Sequence, residues 1–155
     1  MIKKVLLGVL AYIIGISIGV YFESFFRETI QDIFKFTTSN KIQFRGKNIY
    51  FSIGGIFKYI LSFTLMLFLF SNLNLKLKQV IKNTVILLLI FGISLFVISA
   101  INANLKVIEC TACDNGIVRI HWNGINYDLI IGLSAILAII PSIIRLVKPK
   151  LKKTP

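Results

Sequence analysis

Two cysteines separated by two residues are the side chains of this sequence best suited to chemistry. Cys110 and Cys113 are the only cysteines among 155 residues. In an oxidising compartment such a pair forms a structural disulfide, although so small a ring removes little entropy from the unfolded chain. The same spacing is typical of redox-active dithiols, in which one thiol is activated as the attacking nucleophile. We predict a disulfide between Cys110 and Cys113, with a redox-active dithiol as the alternative.

A metal site is a third interpretation of the same cysteines. Cys110, Cys113 and His121 make three candidate ligands, with Asp114 or Glu109 as a candidate fourth. Structural zinc sites favour four Cys or His ligands, and the second Cys-x-x-Cys half of such a site is missing from this chain. We therefore predict no bound metal.

Four apolar runs must position these residues. The chain is 56% hydrophobic and 15% charged, with a mean hydropathy of +0.83, whereas soluble domains have about 45–50% apolar and about 25% charged residues. Each run approaches the roughly 20 residues that cross a bilayer. The runs lie at about residues 5–22, 53–71, 85–101 and 129–147. The sequence predicts an all-α membrane protein with four transmembrane helices, forming a single domain over residues 1–155.

The charges orient the predicted spans. With four spans both termini share one side, and that side carries ten basic residues and no acid. The ten are Lys3, Lys4, Lys76, Lys78, Lys82, Arg145, Lys148, Lys150, Lys152 and Lys153. Short basic loops stay in the cytoplasm. We predict a multi-pass protein of the cytoplasmic (inner) membrane with both termini cytoplasmic and an uncleaved first helix. The net charge of +12 then orients the chain, and no nucleic-acid partner is expected.

A four-span protein with an outward Cys-x-x-Cys resembles the vitamin K epoxide reductase and disulfide-bond-formation quinone oxidoreductases. The resemblance covers the topology and the Cys110–Cys113 pair only. It implies thiol–disulfide exchange with a quinone as cofactor. Those enzymes relay electrons through a second cysteine pair, and this chain contains only two cysteines.

The outward loops, residues 23–52 and 102–128, are predicted to fold into a cap. Residues 24–36 predict an amphipathic helix, either in the interface plane or capping the bundle. Glu23 and Arg27 form a favourable i,i+4 pair. The apolar stripe of this predicted helix is Phe26, Ile30, Ile33, Phe34 and Thr37. The opposite, polar side of the helix is Glu28, Gln31, Asp32 and Lys35.

Turn sequences predict two small β-hairpins in the same loops. Residues 41–51 alternate around Arg45-Gly46-Lys47-Asn48, and residues 105–110 and 117–122 flank an Asp-Asn-Gly turn. We expect the two hairpins to pair into one sheet because a lone hairpin is marginal in water. On this sheet His121 is expected to be a surface residue and Trp122 an interfacial anchor.

The spans contain no Asp, Glu or His, which argues against a pump or a proton-coupled transporter. Lys58 lies inside the second run and is expected to snorkel, unless the span begins one turn later. Small residues recur every fourth position in two spans and favour close helix packing, within the chain or in a homo-oligomer. They are Ala11, Gly15 and Gly19 in the first span, and Ser134, Ala138 and Ser142 in the fourth. In an oligomer, Ser62, Thr64, Ser94 and Ser99 are candidate pore-lining residues.

Three functions fit this sequence. The first is a non-enzymatic accessory or binding subunit, embedded in the lipid bilayer, whose outward cap contacts another membrane or periplasmic protein and which needs no cofactor. The second is a membrane thiol–disulfide oxidoreductase that uses Cys110, Cys113 and a quinone. The third is an oligomeric pore-forming or defence effector. We favour the first, because no catalytic constellation accompanies the predicted cap.

Overall fold

The computed structural model describes residues 2–46, 55–109 and 117–151. These residues form five α-helices and a two-stranded sheet, and they are mostly helical (83%). The helices are α1 (Ile2–Tyr21), α2 (Glu23–Thr37), α3 (Ile56–Asn72), α4 (Leu77–Glu109) and α5 (Tyr127–Leu151). The strands are β1 (Ile42–Arg45) and β2 (Val118–His121), and a short 3-10 turn (Trp122–Gly124) follows β2.

Two helices are long and apolar enough to cross a membrane, namely α4 and the Tyr127–Val147 part of α5. A third candidate is the pair of α1 and α2, which is bent by 54° at its junction. Helix α3 is apolar but has only 17 residues. The described residues thus contain two to three candidate spans by length and composition, and the predicted four are not confirmed.

Helix α4 is the largest departure from the predicted boundaries. It has 33 residues, whereas the apolar run that predicted it covers residues 85–101. The predicted strand at 105–110 is wrong, because residues 105–109 form the C-terminal end of α4. An existing helix adds residues at little cost, so a short β-prone segment at its end continues it. Lys106 and Glu109 pair across this turn at 3.0 Å.

Four of the helices pack side by side in the order α1, α3, α5, α4. Helices α1 and α4 run in one direction and α3 and α5 in the other, as contacts between helix ends show. Gly19 lies against Lys58, and the Asp128 carboxylate accepts the Phe57 N–H at 3.1 Å. Near the end of α5, Arg145 reaches both Asn72 at the end of α3 and Asn83 near the start of α4. Both described ends of the chain therefore lie at one end of the assembly. We call it the basic end, and the opposite end the cap end.

The small-residue stripe of α1 packs on α3 rather than on α5. A side chain at Gly15 would place its Cβ 2.5 Å from the Ser62 Cα, so only glycine permits this approach. Helix α3 lies between α1 and α5, so the two stripes do not pack on each other. The α5 stripe is also inside the chain, since Ser134, Ala138 and Ser142 are all buried. Neither stripe is free to join two copies.

Helix α2 covers the cap end of the bundle. Of its two predicted placements, in the interface plane or capping the bundle, the structure has the second. Ile30 and Phe34 are almost fully buried, and the Phe26 ring meets the Phe91 ring of α4 with centroids 5.8 Å apart. The main hydrophobic core lies beneath this helix, where α2, α4, α5 and the sheet meet. One expectation was wrong: Gln31, predicted on the polar side, is 2% exposed.

The described part of the sheet differs from the two predicted hairpins. Strands β1 and β2 come from different loops and pair in parallel, with Ile42 beside Val118 and Arg45 beside His121. Parallel pairing requires a long connection, which α3 and α4 supply. The prediction that the two loops pair is confirmed, whereas residues 47–51 of the first hairpin lie outside the described residues.

Candidate functional site

The outer side of the two-stranded sheet presents polar and basic side chains at the cap end. Side chains alternate between the two sides of a strand, and Ile42 and Val118 point inward and are buried. The exposed side chains on the other side are Gln43, Arg45, Arg119 and His121. We call these four residues the sheet face. It carries two arginines and no acid, so it is electropositive.

Aromatic contacts hold this sheet to the helices. The Phe44 ring, on the inner side of β1, stacks on the Trp122 ring with centroids 5.0 Å apart and an interplanar angle of 24°. The same ring meets Phe34 of α2 at 6.5 Å. Such pairs contribute about 0.5–1.5 kcal/mol beyond their buried area. Phe44 therefore links β1 both to α2 and to the 3-10 turn that follows β2.

His121 has a local structural role. Its Nδ1 accepts a hydrogen bond from the Asn123 N–H at 3.2 Å and so caps the 3-10 turn. The ring lies over Gly46, which has a φ of +89° and leaves no room for a side chain, since a Cβ there would be 2.5 Å from Nε2. Within the described ranges no three His, Cys, Asp or Glu side chains are grouped to hold a metal ion.

Buried charges link three helices just below the sheet. Glu23, at the start of α2, contacts Lys58 of α3 at 2.8 Å and Arg27 at 2.9 Å. The side chains of Glu23 and Lys58 are 4% and 3% exposed, and that of Arg27 is 17% exposed. We call these three residues the charge cluster. Of the two alternatives for Lys58, snorkelling is wrong, because the ammonium turns inward to a carboxylate. The second agrees with the structure, since α3 begins at Ile56, about one turn after the predicted start at residue 53.

Tyr127 connects the charge cluster to α5 and to the sheet. The Arg27 guanidinium lies 4.5 Å from the centre of the Tyr127 ring, a cation–π geometry. The Tyr127 hydroxyl accepts a hydrogen bond from Gln31 Nε2 at 2.6 Å and donates one to the Trp122 carbonyl at 2.8 Å. These bonds satisfy the buried amide of Gln31 and fix the 3-10 turn relative to α2.

The sequence predicted the Glu23–Arg27 pair, but it did not predict that Lys58 joins them in the charge cluster. The signal was present, because a lysine within an apolar run requires an anionic partner if it stays buried. Glu23 ends the first apolar run at the same side of the assembly. Gly19, one turn earlier, leaves space for the Lys58 stem, since a Cβ there would lie 3.0 Å from its Cγ.

The cysteine predictions cannot be placed on this geometry. Cys110, Cys113 and Asp114 lie outside the described residues. Of the other candidate metal ligands, Glu109 pairs with Lys106 at the end of α4, and His121 caps the 3-10 turn. Of the candidate pore-lining residues, Ser62 and Ser99 are fully buried inside the chain.

No family model, curated protein or solved structure matches this chain.

Proposed function

We propose that this chain is a four-span subunit of the cytoplasmic membrane that binds an acidic surface of another membrane or periplasmic protein through its sheet face. The observation that carries the proposal is the exposed basic sheet face, held rigidly on the helices by Phe44, Trp122 and the Tyr127 hydrogen bonds. An ordered polar surface of this kind offers a partner fixed positions for its own groups.

Helix dimensions support four spans. At 1.5 Å per residue, the 17 residues of α3 extend about 26 Å, which is near the lower limit of roughly 17 residues for a transmembrane helix. Helix α3 is flanked on both sides by the longer α1 and α5, so a bilayer around them surrounds it as well. The basic end is then cytoplasmic, because the described residues of that end include eight that are basic and none that is acidic.

Charge complementarity identifies the partner's surface as acidic. Arg45 and Arg119 lie on adjacent strands with exposed side chains, an arrangement suited to carboxylates, which arginine binds in a bidentate manner. Arginine is also enriched among the residues that dominate protein interfaces. The cap end is therefore a binding surface, and the helices hold it at the membrane.

Photocrosslinking in cells tests this function. A photoreactive amino acid at Gln43 is expected to give a discrete crosslinked product with one protein. Replacing Arg45 and Arg119 together by Gln should reduce that product at least tenfold, because two charge-assisted contacts are lost.

A matched control separates the sheet face from overall charge. Lys35→Gln with Lys106→Gln removes the same two charges from the cap end, and both side chains are about 40% exposed. This control should leave the crosslinked product unchanged. Equal loss in both double variants, or the same crosslinked products from a probe at exposed Ile93 on α4, would count against a binding site on the sheet face.

A further inference from the structure

A long apolar groove runs along the helices between α1 and α4. Its outer part has a volume of about 420 Å³ and lies under α2, between Ile18, Leu61 and Leu88. Its inner part, of about 360 Å³, continues toward the basic end as far as Asn72 and Leu73. The two parts share Ile18 and Leu65, so they are adjacent along the helices.

The groove opens sideways and has the length of a lipid chain. Leu7, Ile14 and Leu73 line it and are still 38–48% exposed, so its open side faces the surroundings of the helices. Leu61 and Asn72 are eleven residues apart on α3, about 17 Å at 1.5 Å per residue. One leaflet of a bilayer contributes about half of the roughly 30 Å hydrocarbon thickness. A single acyl chain from one leaflet fits this length.

The inner end of the groove meets an arginine whose contacts are neutral. Arg145 donates to the side-chain oxygens of Asn72 at 3.3 Å and Asn83 at 2.9 Å. Asn83 also donates to Asn72 at 2.7 Å, which fixes both amides. A guanidinium has five N–H donors, and neither amide neutralises its charge.

The surroundings of Arg145 carry further positive charge and no negative charge. None of the six acidic residues occurs in residues 56–108 or 129–151, which contain the described part of the basic end apart from the start of α1. Lys76, Lys78 and Lys82 are exposed at this end. Basic pockets between membrane helices recognise anionic lipid headgroups. The apolar groove therefore ends at Asn72, beside the Arg145 guanidinium, whose positive charge has no acidic partner among the described residues.

We propose that the groove binds one acyl chain of an anionic membrane phospholipid, with its phosphate beside Arg145. The acyl chain enters the groove through its open side, between α1 and α4, and lies along α3 toward α2. The inference is independent of the proposed role of the sheet face, which lies at the opposite end of the helices.

Native mass spectrometry of the full chain in detergent tests the proposal. The purified protein is titrated with dioleoyl phosphatidylglycerol and, separately, with dioleoyl phosphatidylcholine. The protein is expected to bind phosphatidylglycerol about tenfold more tightly. Both lipids carry a phosphate that can accept from Arg145, but the choline cation cancels the charge of phosphatidylcholine, whereas phosphatidylglycerol keeps a net negative charge that the basic end attracts. Inorganic phosphate, which has no acyl chain, should neither bind nor compete. Equal affinity for the two lipids would overturn the proposal.

Two pairs of variants locate the headgroup and the chain. Arg145→Gln should abolish the preference for phosphatidylglycerol, whereas Lys78→Gln, which removes one charge from the same end, should preserve it. Val80 lines the inner groove, so Val80→Trp should weaken binding of both lipids at least tenfold by filling the space. Val85→Trp, on an exposed position of the same helix, should have no effect.

Each variant has an outcome that contradicts the model of binding. Equal effects of the two charge variants would indicate diffuse attraction to the surface, and unchanged binding in Val80→Trp would place the chain elsewhere. If Arg145→Gln does not fold, Arg145→Lys serves instead: it keeps the charge and should retain the preference for phosphatidylglycerol. Loss of that preference in Arg145→Lys, with binding of phosphatidylcholine intact, would refute recognition by charge.

Discussion

Removing either charge of the Glu23–Lys58 pair is expected to have unequal consequences. Glu23→Gln leaves the Lys58 ammonium at 3% exposure with no carboxylate within reach. Breaking a buried pair from one side costs about 3–5 kcal/mol, because the remaining charge is neither solvated nor compensated. The destabilisation from the Arg27 charge is smaller, since its side chain is 17% exposed and still lies over the Tyr127 ring.

The opposite substitution costs less. Lys58→Met keeps an unbranched stem beside Gly19, and Glu23 retains Arg27 as its partner at 2.9 Å. Only one contact to a charged group is lost, at a cost of about 1.5–3 kcal/mol. We therefore expect Lys58→Met to be more stable than Glu23→Gln by roughly 1–2 kcal/mol.

The double variant gives the sharpest test. With Lys58 replaced by Met, Glu23→Gln no longer leaves a buried ammonium without a carboxylate. Replacing both members of a buried pair is often close to neutral, so the double variant should be more stable than Glu23→Gln alone. The coupling between the two positions is therefore expected to exceed the cost of Lys58→Met alone, which is about 1.5–3 kcal/mol.

Unfolding in mixed micelles, driven by sodium dodecyl sulfate and followed by far-ultraviolet circular dichroism, measures these differences. Asp32→Asn is the control, since Asp32 is 75% exposed and 3.6 Å from Lys35. Its cost should stay below about 0.5 kcal/mol. Additive effects of Glu23→Gln and Lys58→Met, or equal costs for both, would refute the assignment of Lys58 to a buried pair with Glu23.

Three further predictions follow from the packing, the hydrogen bonds and the cysteines. Gly15→Leu should destabilise the protein by more than about 3 kcal/mol in the same unfolding assay, because the leucine Cβ would meet the α3 backbone. Gly92→Leu is the control and should be tolerated, because nothing lies within 4 Å of a Cβ at that position. Equal costs for the two variants would disprove the close approach of α1 and α3. Tyr127→Phe removes a hydroxyl with two hydrogen bonds and should cost about 1–3 kcal/mol, whereas a melting temperature equal to that of the unmodified protein would show that these bonds contribute little. Thiol trapping across redox buffers should give a potential below about −300 mV for Cys110 and Cys113 if they form a structural disulfide; a value near −200 mV would favour the oxidoreductase alternative instead.

The apolar runs and charges of the sequence predict much of the helical architecture. Continuous apolar segments form helices whatever surrounds them, because a bilayer-length run satisfies its backbone only by internal hydrogen bonds. The helical periodicity of residues 24–36 likewise predicts α2, and the spacing of Glu23 and Arg27 predicts their pair. The placement of both termini at one end follows from an even number of helices alternating in direction.

Local sequence misled where a neighbouring element decided the conformation. Residues 105–109 are β-prone, but they follow a helix that is already formed and extend it. Residues 41–45 were expected to pair within their own loop. Instead β1 pairs with β2, because the inner sides of both strands bury Ile42 and Val118 in one core.

The sequence by itself therefore determined the helical content, the apolar segments and the separation of acidic from basic ends. These properties depend on residues within one turn or one segment of each other. Only the tertiary structure decided which helices are neighbours, and with it the pairing of Lys58 with Glu23 and the groove that ends at Arg145. The reason is physical: a uniformly apolar helix has no preferred face, so its neighbours are selected by close contacts such as Gly15 on Ser62, which require both partners to be present.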